Sequence, residues 1–229
     1  MKKLVKSAMI ASLAIASFAC GGCKDDRKND RQLHGADIRA RVSDMANKGR
    51  ELYVAIVMAN TEREALGFQS VWPVTAAYRS NDKSDISGMV FRTSAEYFKV
   101  LFGLPEAKDP YVAKESNLAL SEGGKQPLWS VMLDLNDKIS DHVPVIVSSN
   151  FDCSRLPAKW PVADHEMDMV IKIGDSPVIG NTGIVFIRKS GQAVALPADK
   201  VTLRNIYSTT ERLTLPAKYL TPNGVVKAK

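Results

Sequence analysis

From Ala36 onward apolar residues recur at Ile38, Val42, Met45, Gly49, Leu52, Ile56 and Ala59, with spacings that alternate between four and three. Such spacing lays them along one face of an α-helix. The polar residues Arg39, Arg41, Ser43, Asp44, Asn47, Lys48, Arg50 and Glu51 fall on the remaining positions, and Gly67 supplies a stop. A helix from Ala36 to Leu66 extends ~46 Å at 1.5 Å per residue, far longer than an average globular helix. Past Gly67 the period changes. Val71-Trp72-Pro73 and a polar loop from Arg79 to Asp85 lead to a second helix, in which Thr93 and Glu96 form a capping box. Tyr97, Phe98, Leu101 and Phe102 give this helix an apolar face that ends at Gly103, and they read as core residues.

After an irregular stretch from Asp109 to Gln126 the pattern turns to short β-branched runs bounded by Gly, Pro, Asn or Asp. Strands are expected at Trp129–Leu135, Val143–Ser148, Met169–Ile173, Gly183–Ile187 and Gln192–Leu196. The last two are joined by Arg188-Lys189-Ser190-Gly191, a hairpin turn with Gly. Helices first and antiparallel strands after them define an α+β fold.

The segment ahead of the helix is of a different kind. Met1-Lys2-Lys3 precedes an Ala-rich apolar run from Leu4 to Ala19, interrupted by Lys6 and by serines, which ends in Ser17-Phe18-Ala19-Cys20-Gly21-Gly22-Cys23. The run is shorter than the ~20 residues that span a bilayer, and a basic start with small residues at its end marks an export signal. Cysteine after small residues, followed by the polar stretch Lys24 to Arg31, resembles a bacterial lipoprotein signal, in which the cysteine becomes the acylated N-terminus. Cys20 and Cys23 compete for that role. A redox reading of Cys20-x-x-Cys23 lacks the surrounding βαβ pattern. Residues 24–35 are charged and aperiodic, so a tether is expected between the signal peptide at 1–23 and a globular domain at 36–229.

Composition narrows the function classes. The 229 residues are 45% hydrophobic and 24% charged, enough for a core. Removing Lys2, Lys3 and Lys6 with the leader lowers the formal charge from +6 to +3, too mild to point to nucleic acid. Only three His and three Cys are present. Asp164-His165-Glu166-Met167-Asp168 gathers four potential metal ligands, but its spacing matches neither a zinc nor an EF-hand pattern, leaving calcium as an open question. His34 and His142 stand alone, and no Ser or Cys lies in a nucleophile elbow. Gly174-Asp175-Ser176 and Gly180-Asn181-Thr182-Gly183 lack the Lys and the following helix of a phosphate loop. The expectation is a non-enzymatic protein without a cofactor.

Several segments in order resemble one family. Met45 through Gly67 followed by Ser70-Val71-Trp72-Pro73 is similar to the end of the long first helix in pseudopilins of type II secretion systems, the protein G-like family, in its verrucomicrobial-type variant. Thr93-Ser94-Ala95-Glu96-Tyr97-Phe98-Lys99-Val100-Leu101-Phe102 resembles that variant's second helix. Trp129 with Asp141 through Asn150 resembles its middle sheet segment, and Gly180 through Gly191 its closing hairpin. The resemblance covers roughly 37–207. It implies a pilin-like domain, a long helix packed on a small antiparallel sheet, with a role in an envelope filament that exports folded proteins.

The leader departs from that family. A pseudopilin leader ends in Gly and is followed by an apolar helix carrying a Glu, whereas here no carboxylate lies between Leu4 and Ala19 and the chain turns charged after Gly22. The expectation is therefore a pilin-like domain carried on a lipid anchor in the bacterial envelope, on the periplasmic or outer-membrane face. Its partners would be the membrane and an envelope or secretion-system protein. A surface lipoprotein that binds a solute or polymer is the alternative. Exposed aromatics around a groove, with Trp72, Trp129 and Trp160 as candidates, would favour binding, and an exposed apolar stripe on the Ile38–Ile56 helix would favour assembly.

Overall fold

A computed structural model describes residues 27–68, 70–76, 89–103, 119–120, 126–209, 213–216 and 218–228, with the side chains of the first helix described from Gly35 onward. The export signal, Cys20 and Cys23, the side chain of His34 and the 79–85 loop lie outside the described residues.

The long periodic segment forms one helix, α1, Arg27–Ala65, of 39 residues and about 58 Å at 1.5 Å per residue. It starts earlier than the apolar pattern does, so residues 27–35, expected as tether, are its first turns. It stops where expected. Gly67 takes a left-handed φ of 79°, the Phe68 N–H reaches Arg63 O at 2.9 Å and the Gly67 N–H reaches Glu64 O at 3.1 Å. This pair of bonds satisfies carbonyls that the last turn leaves open. The Arg63 guanidinium lies over the Phe68 ring, 5.0 Å from its centre, and completes the cap.

Six strands make one antiparallel sheet in the order β4-β3-β2-β1-β5-β6. They are β1 Trp129–Met132, β2 Pro144–Ser148, β3 Gly183–Arg188, β4 Ala193–Pro197, β5 Lys218–Thr221 and β6 Gly224–Lys227. The fold is thus α+β, with one long helix and an antiparallel sheet. Four strands fall where the pattern puts them. The expected strand at Met169–Ile173 does not form. That segment makes one backbone bond, Ile171 N–H to Val201 O at 2.8 Å, and is held by the packing of half-buried Ile171 and Ile173 while Met169 and Val170 face solvent. The pattern assigned nothing to β5 and β6, although Asn223-Gly224 between them is a strong hairpin signal. Their return beside β1 puts β1 in the interior of the sheet.

Every residue of β1, β2 and β3 is buried. That requires cover on both faces, and accounts for runs such as Val145-Ile146-Val147 and Ile184-Val185-Phe186-Ile187 that do not alternate with polar residues. Cross-strand register places Trp129, Val131, Ile146, Val185 and Ile187 on one face. This is the face that α1 crosses. Its Met45, Gly49, Leu52, Ile56 and Ala59 are buried, while Ile38 and Val42 nearer the N-terminus are half-exposed. Gly49 marks the closest approach, because a Cβ there would stand 2.8 Å from the Trp129 ring and 3.0 Å from Ile187 Cδ1. The opposite face carries Val147, Ile184 and Phe186, which meet Phe151, Leu156 and Ile206.

A second helix, α2, Ser94–Leu101, buries Tyr97, Phe98 and Leu101 as expected. Thr93 Oγ1 accepts from the Glu96 N–H at 3.3 Å, and the Glu96 carboxylate returns to the Arg92 N–H at 2.7 Å, one residue before the usual box partner. Trp72 is core as well, its Nε1–H donating to Met132 O at 2.7 Å.

Two substitutions on α1 should move stability in opposite directions. Gly49→Ala is expected to lower it by about 1 kcal/mol, because the clash with a fully buried Trp outweighs the gain in helix propensity. Gly35 has open space around it, and Gly35→Ala should stabilise by up to ~1 kcal/mol. Leu52→Ala, at a fully buried position, should cost ~2–5 kcal/mol. Urea melts of the three variants check these signs, and a loss below about 1 kcal/mol at Leu52 would mean that this face is not core.

Candidate functional site

The chemistry-bearing segments are mostly consumed by the fold. Asp164–Met167 forms a short helix, α3, and Asp168 just after it receives both Nε and Nη2 of Arg204, at 2.6 and 3.0 Å. Arg204 holds the Asp168 carboxyl below its ordinary range, first through this hydrogen bond and then through its charge. Among the described residues no group of three or more His, Cys, Asp or Glu is placed to hold a metal ion. The glycine-rich stretch from Gly174 to Gly183 is a closed loop. Ser176 and Gly180 exchange backbone hydrogen bonds at 3.0 and 2.9 Å, and Ser176 Oγ accepts from the Val178 and Ile179 amides. The amides of Gly174, Ser176, Val178, Ile179, Gly180 and Thr182 are therefore engaged within the fold.

Asn150 ties this loop to the sheet. Its carbonyl accepts from the Gly174 N–H at 2.7 Å, and its Nδ2 donates to the carbonyls of Gly180 and Gly183 at 3.1 and 2.9 Å. Arg188 does the same for a short helix, α4, Leu203–Tyr207. The guanidinium is buried, donates through Nη2 to Ile206 O at 2.9 Å and through Nη1 to Gln192 Oε1 at 2.7 Å, and lies over the Phe186 ring. Burial lowers its pKa from the ordinary arginine value. A cation at the last-turn carbonyls of α4 is favourable to that helix end, and it is a structural rather than a catalytic use of the charge.

Cys153 lies under the sheet, with its sulfur buried. Burial pushes its thiol up to about 12, with the Ser130 hydroxyl pulling the other way to a smaller extent. Such a thiol is neither a nucleophile nor a ready disulfide partner. The small pocket bounded by Pro144, Val147, Phe151, Leu156, Ile184, Phe186 and Ile206 is wholly apolar and too tight for a water molecule. Trp72 and Trp129 are core residues and Trp160 is half-buried, edge-on to Tyr207 with ring centres 5.3 Å apart.

Large apolar side chains are exposed at Met89, Val90, Met169, Val170 and Val225, and on the outer side of α1. Val54, Val57 and Met58 are 43%, 41% and 39% exposed, and Leu66 and Phe68, past the polar residues Thr61, Glu62 and Glu64, are exposed as well. Val54, Val57 and Met58 are on the side of α1 away from the sheet, opposite the periodic Ile38–Ile56 face, which is buried from Met45 onward. Periodicity misses them because Leu52 through Ala59 is apolar without interruption, so no face stands out there. The signal was the uninterrupted run itself, since a helix that is apolar all round needs cover on more than one side. No helix among the described residues is long and apolar enough to cross a membrane.

No family model, curated protein or solved structure matches the chain.

The titration of Cys153 gives a sign that can be measured. A thiol whose folded pKa is raised stabilises the fold below its unfolded pKa, ~8.5, and that contribution is lost as pH rises toward about 12. Stability is expected to begin falling between pH ~8.5 and ~10, before the tyrosines titrate. Cys153→Ala should delay that onset toward pH 10. Denaturant melts at stepped pH check it, and an unchanged onset in the variant would remove Cys153 as the cause.

Proposed function

We propose that this protein is a non-enzymatic envelope lipoprotein whose pilin-like domain serves a structural or interaction role linked to type II secretion. The observation that carries the reading is the apolar face of α1 at Val54, Val57 and Met58, exposed on a helix whose other face is fully engaged with the sheet. A contiguous exposed apolar surface on a soluble domain marks an interaction site. The long helix on an antiparallel sheet fits what the pseudopilin resemblance implies, and the burial of Trp72 and Trp129 removes two of the three tryptophans on which the solute-binding alternative drew. In this reading Cys20 or Cys23 carries the lipid, and the first turns of α1 hold the domain away from the membrane. α1 then works as a stalk with a contact surface at its far half.

Intact mass of the full-length protein purified from membranes tests the anchor. The expected species starts at Cys20 or Cys23 and carries acyl mass, and Cys→Ser at the acylated position releases the chain from the membrane fraction. A mature N-terminus without acyl mass, or an uncleaved leader, would overturn the lipoprotein assignment.

A further inference from the structure

We infer that Gly35 is a joint in α1: the turns ahead of it, 27–34, open and close independently of the part docked on the sheet. Packing on the core begins at Val42, and from Met45 onward buried residues hold the helix to β3 and β4. Between the joint and the docked part, Ala36, Asp37, Arg39, Ala40 and Arg41 are exposed and Ile38 is half-buried. Gly35 has nothing within 4 Å of where a Cβ would stand. The core therefore does not support the helix at this point, and its persistence there depends on local terms.

Those terms differ on the two sides of Gly35. After it, Asp37 pairs with Arg41 and Asp44 with Lys48, both at 2.9 Å and both with the acid four residues ahead of the base, the favourable order in a helix. Ahead of it, Asn29, Asp30 and His34 are poor helix formers, and Arg31 follows Arg27 and Lys28 at the spacings where like charges repel. Cations in a first turn also oppose the helix dipole. Glycine stands between the two halves, and a helix carried through it is about fivefold less populated than one carried through alanine. The other end of α1 is built differently, since its glycine, Gly67, takes part in a hydrogen-bonded cap. Opening converts 27–34 from about 12 Å of helix into up to about 27 Å of chain and frees the direction of the rest of α1. The stalk is then a rod on a leash, and the exposed residues Val54, Val57 and Met58 can be presented at more than one height and tilt. This deepens the stalk reading of α1; its consequence for reach from a membrane rests on the lipid anchor, whereas the joint itself does not.

Timed trypsin digestion of the full chain in mild detergent, read by mass, tests the joint. Cleavage needs several residues unfolded on each side of the cut, so cutting after Arg31 requires only the turns around Gly35 to open, while cutting after Arg39 or Arg41 requires Val42 to leave the core. Arg31 should be cut several-fold faster than Arg39 and Arg41, and Lys48 and Arg50 last. Gly35→Ala should slow the cut after Arg31 about fivefold and leave Lys48 and Arg50 unchanged. Equal rates after Arg31 and Arg41 would show fraying with no joint, and Arg31 as resistant as Arg50 would show a rigid rod; either overturns the inference, as does a Gly35→Ala chain cut after Arg31 at the original rate. A chain without acyl mass that still gives the expected order of cuts keeps the joint and loses only the anchor.

Discussion

The contact between α1 and the sheet at Gly49 governs the rest of the structure. A helix axis normally stands off a sheet by the length of the side chains between them, and at Gly49 no side chain intervenes, so the helix backbone meets the Trp129 ring and Ile187 directly. Glycine in a helix interior costs about 1 kcal/mol in propensity, which the close packing of a fully buried Trp offsets. The approach also fixes the position of the next turn. Tyr53 donates its hydroxyl to Lys189 O at the β3–β4 turn, and Lys189 in turn reaches Ile139 O and Asp137 O across the β1–β2 connection. One glycine thus aligns the helix with the end of the sheet where β1 and β3 finish and β2 begins.

Covering the far side of the sheet with irregular chain creates a different problem, since loops carry backbone groups that a sheet would pair. Asn150 and Arg188 solve it with side chains. Each reaches main-chain carbonyls of the loop or of α4 while buried, although Gly180 O also accepts from the Ser176 N–H within the loop. An unpaired buried carbonyl costs ~1–3 kcal/mol, so polar residues in this layer contribute more than apolar ones of the same size would. The amide nitrogen of Asn150 and the terminal nitrogens of Arg188 are thereby used by the fold, while Asn150 Oδ1, Arg188 Nε and the Tyr207 hydroxyl stay buried without a hydrogen-bond partner.

The helix was legible in the sequence because its apolar positions hold a period over several turns, and Gly67 could be recognised as its end. The first four strands, β1 to β4, were legible from β-branched runs. The Met169–Ile173 segment misled because a run such as Met169-Val170-Ile171 carries strand composition whether or not a free sheet edge is available to it. β5 and β6 are four residues each, and their short apolar runs are too brief for periodicity to register, although Asn223-Gly224 announced the turn. The outer face of α1 was the least legible feature. A hydrophobic period reports which side is apolar relative to the other, and Leu52 through Ala59 has no polar side to serve as contrast.

That same uninterrupted run constrains where a partner can sit. Before Leu52 the outer face of α1 carries small and charged residues, and after Ala59 it carries Thr61 and Glu62; only the stretch that crosses the sheet is apolar on both sides. The core fixes this stretch in place through Leu52, Ile56 and Ala59, so Val54, Val57 and Met58 are presented on a rigid element and lose little conformational freedom when they are covered. A partner docked there stands back to back with the sheet and leaves the Asn150 and Arg188 layer on the far side untouched. The recognition proposed for this protein would thus be a property of one helix, with the sheet as its support.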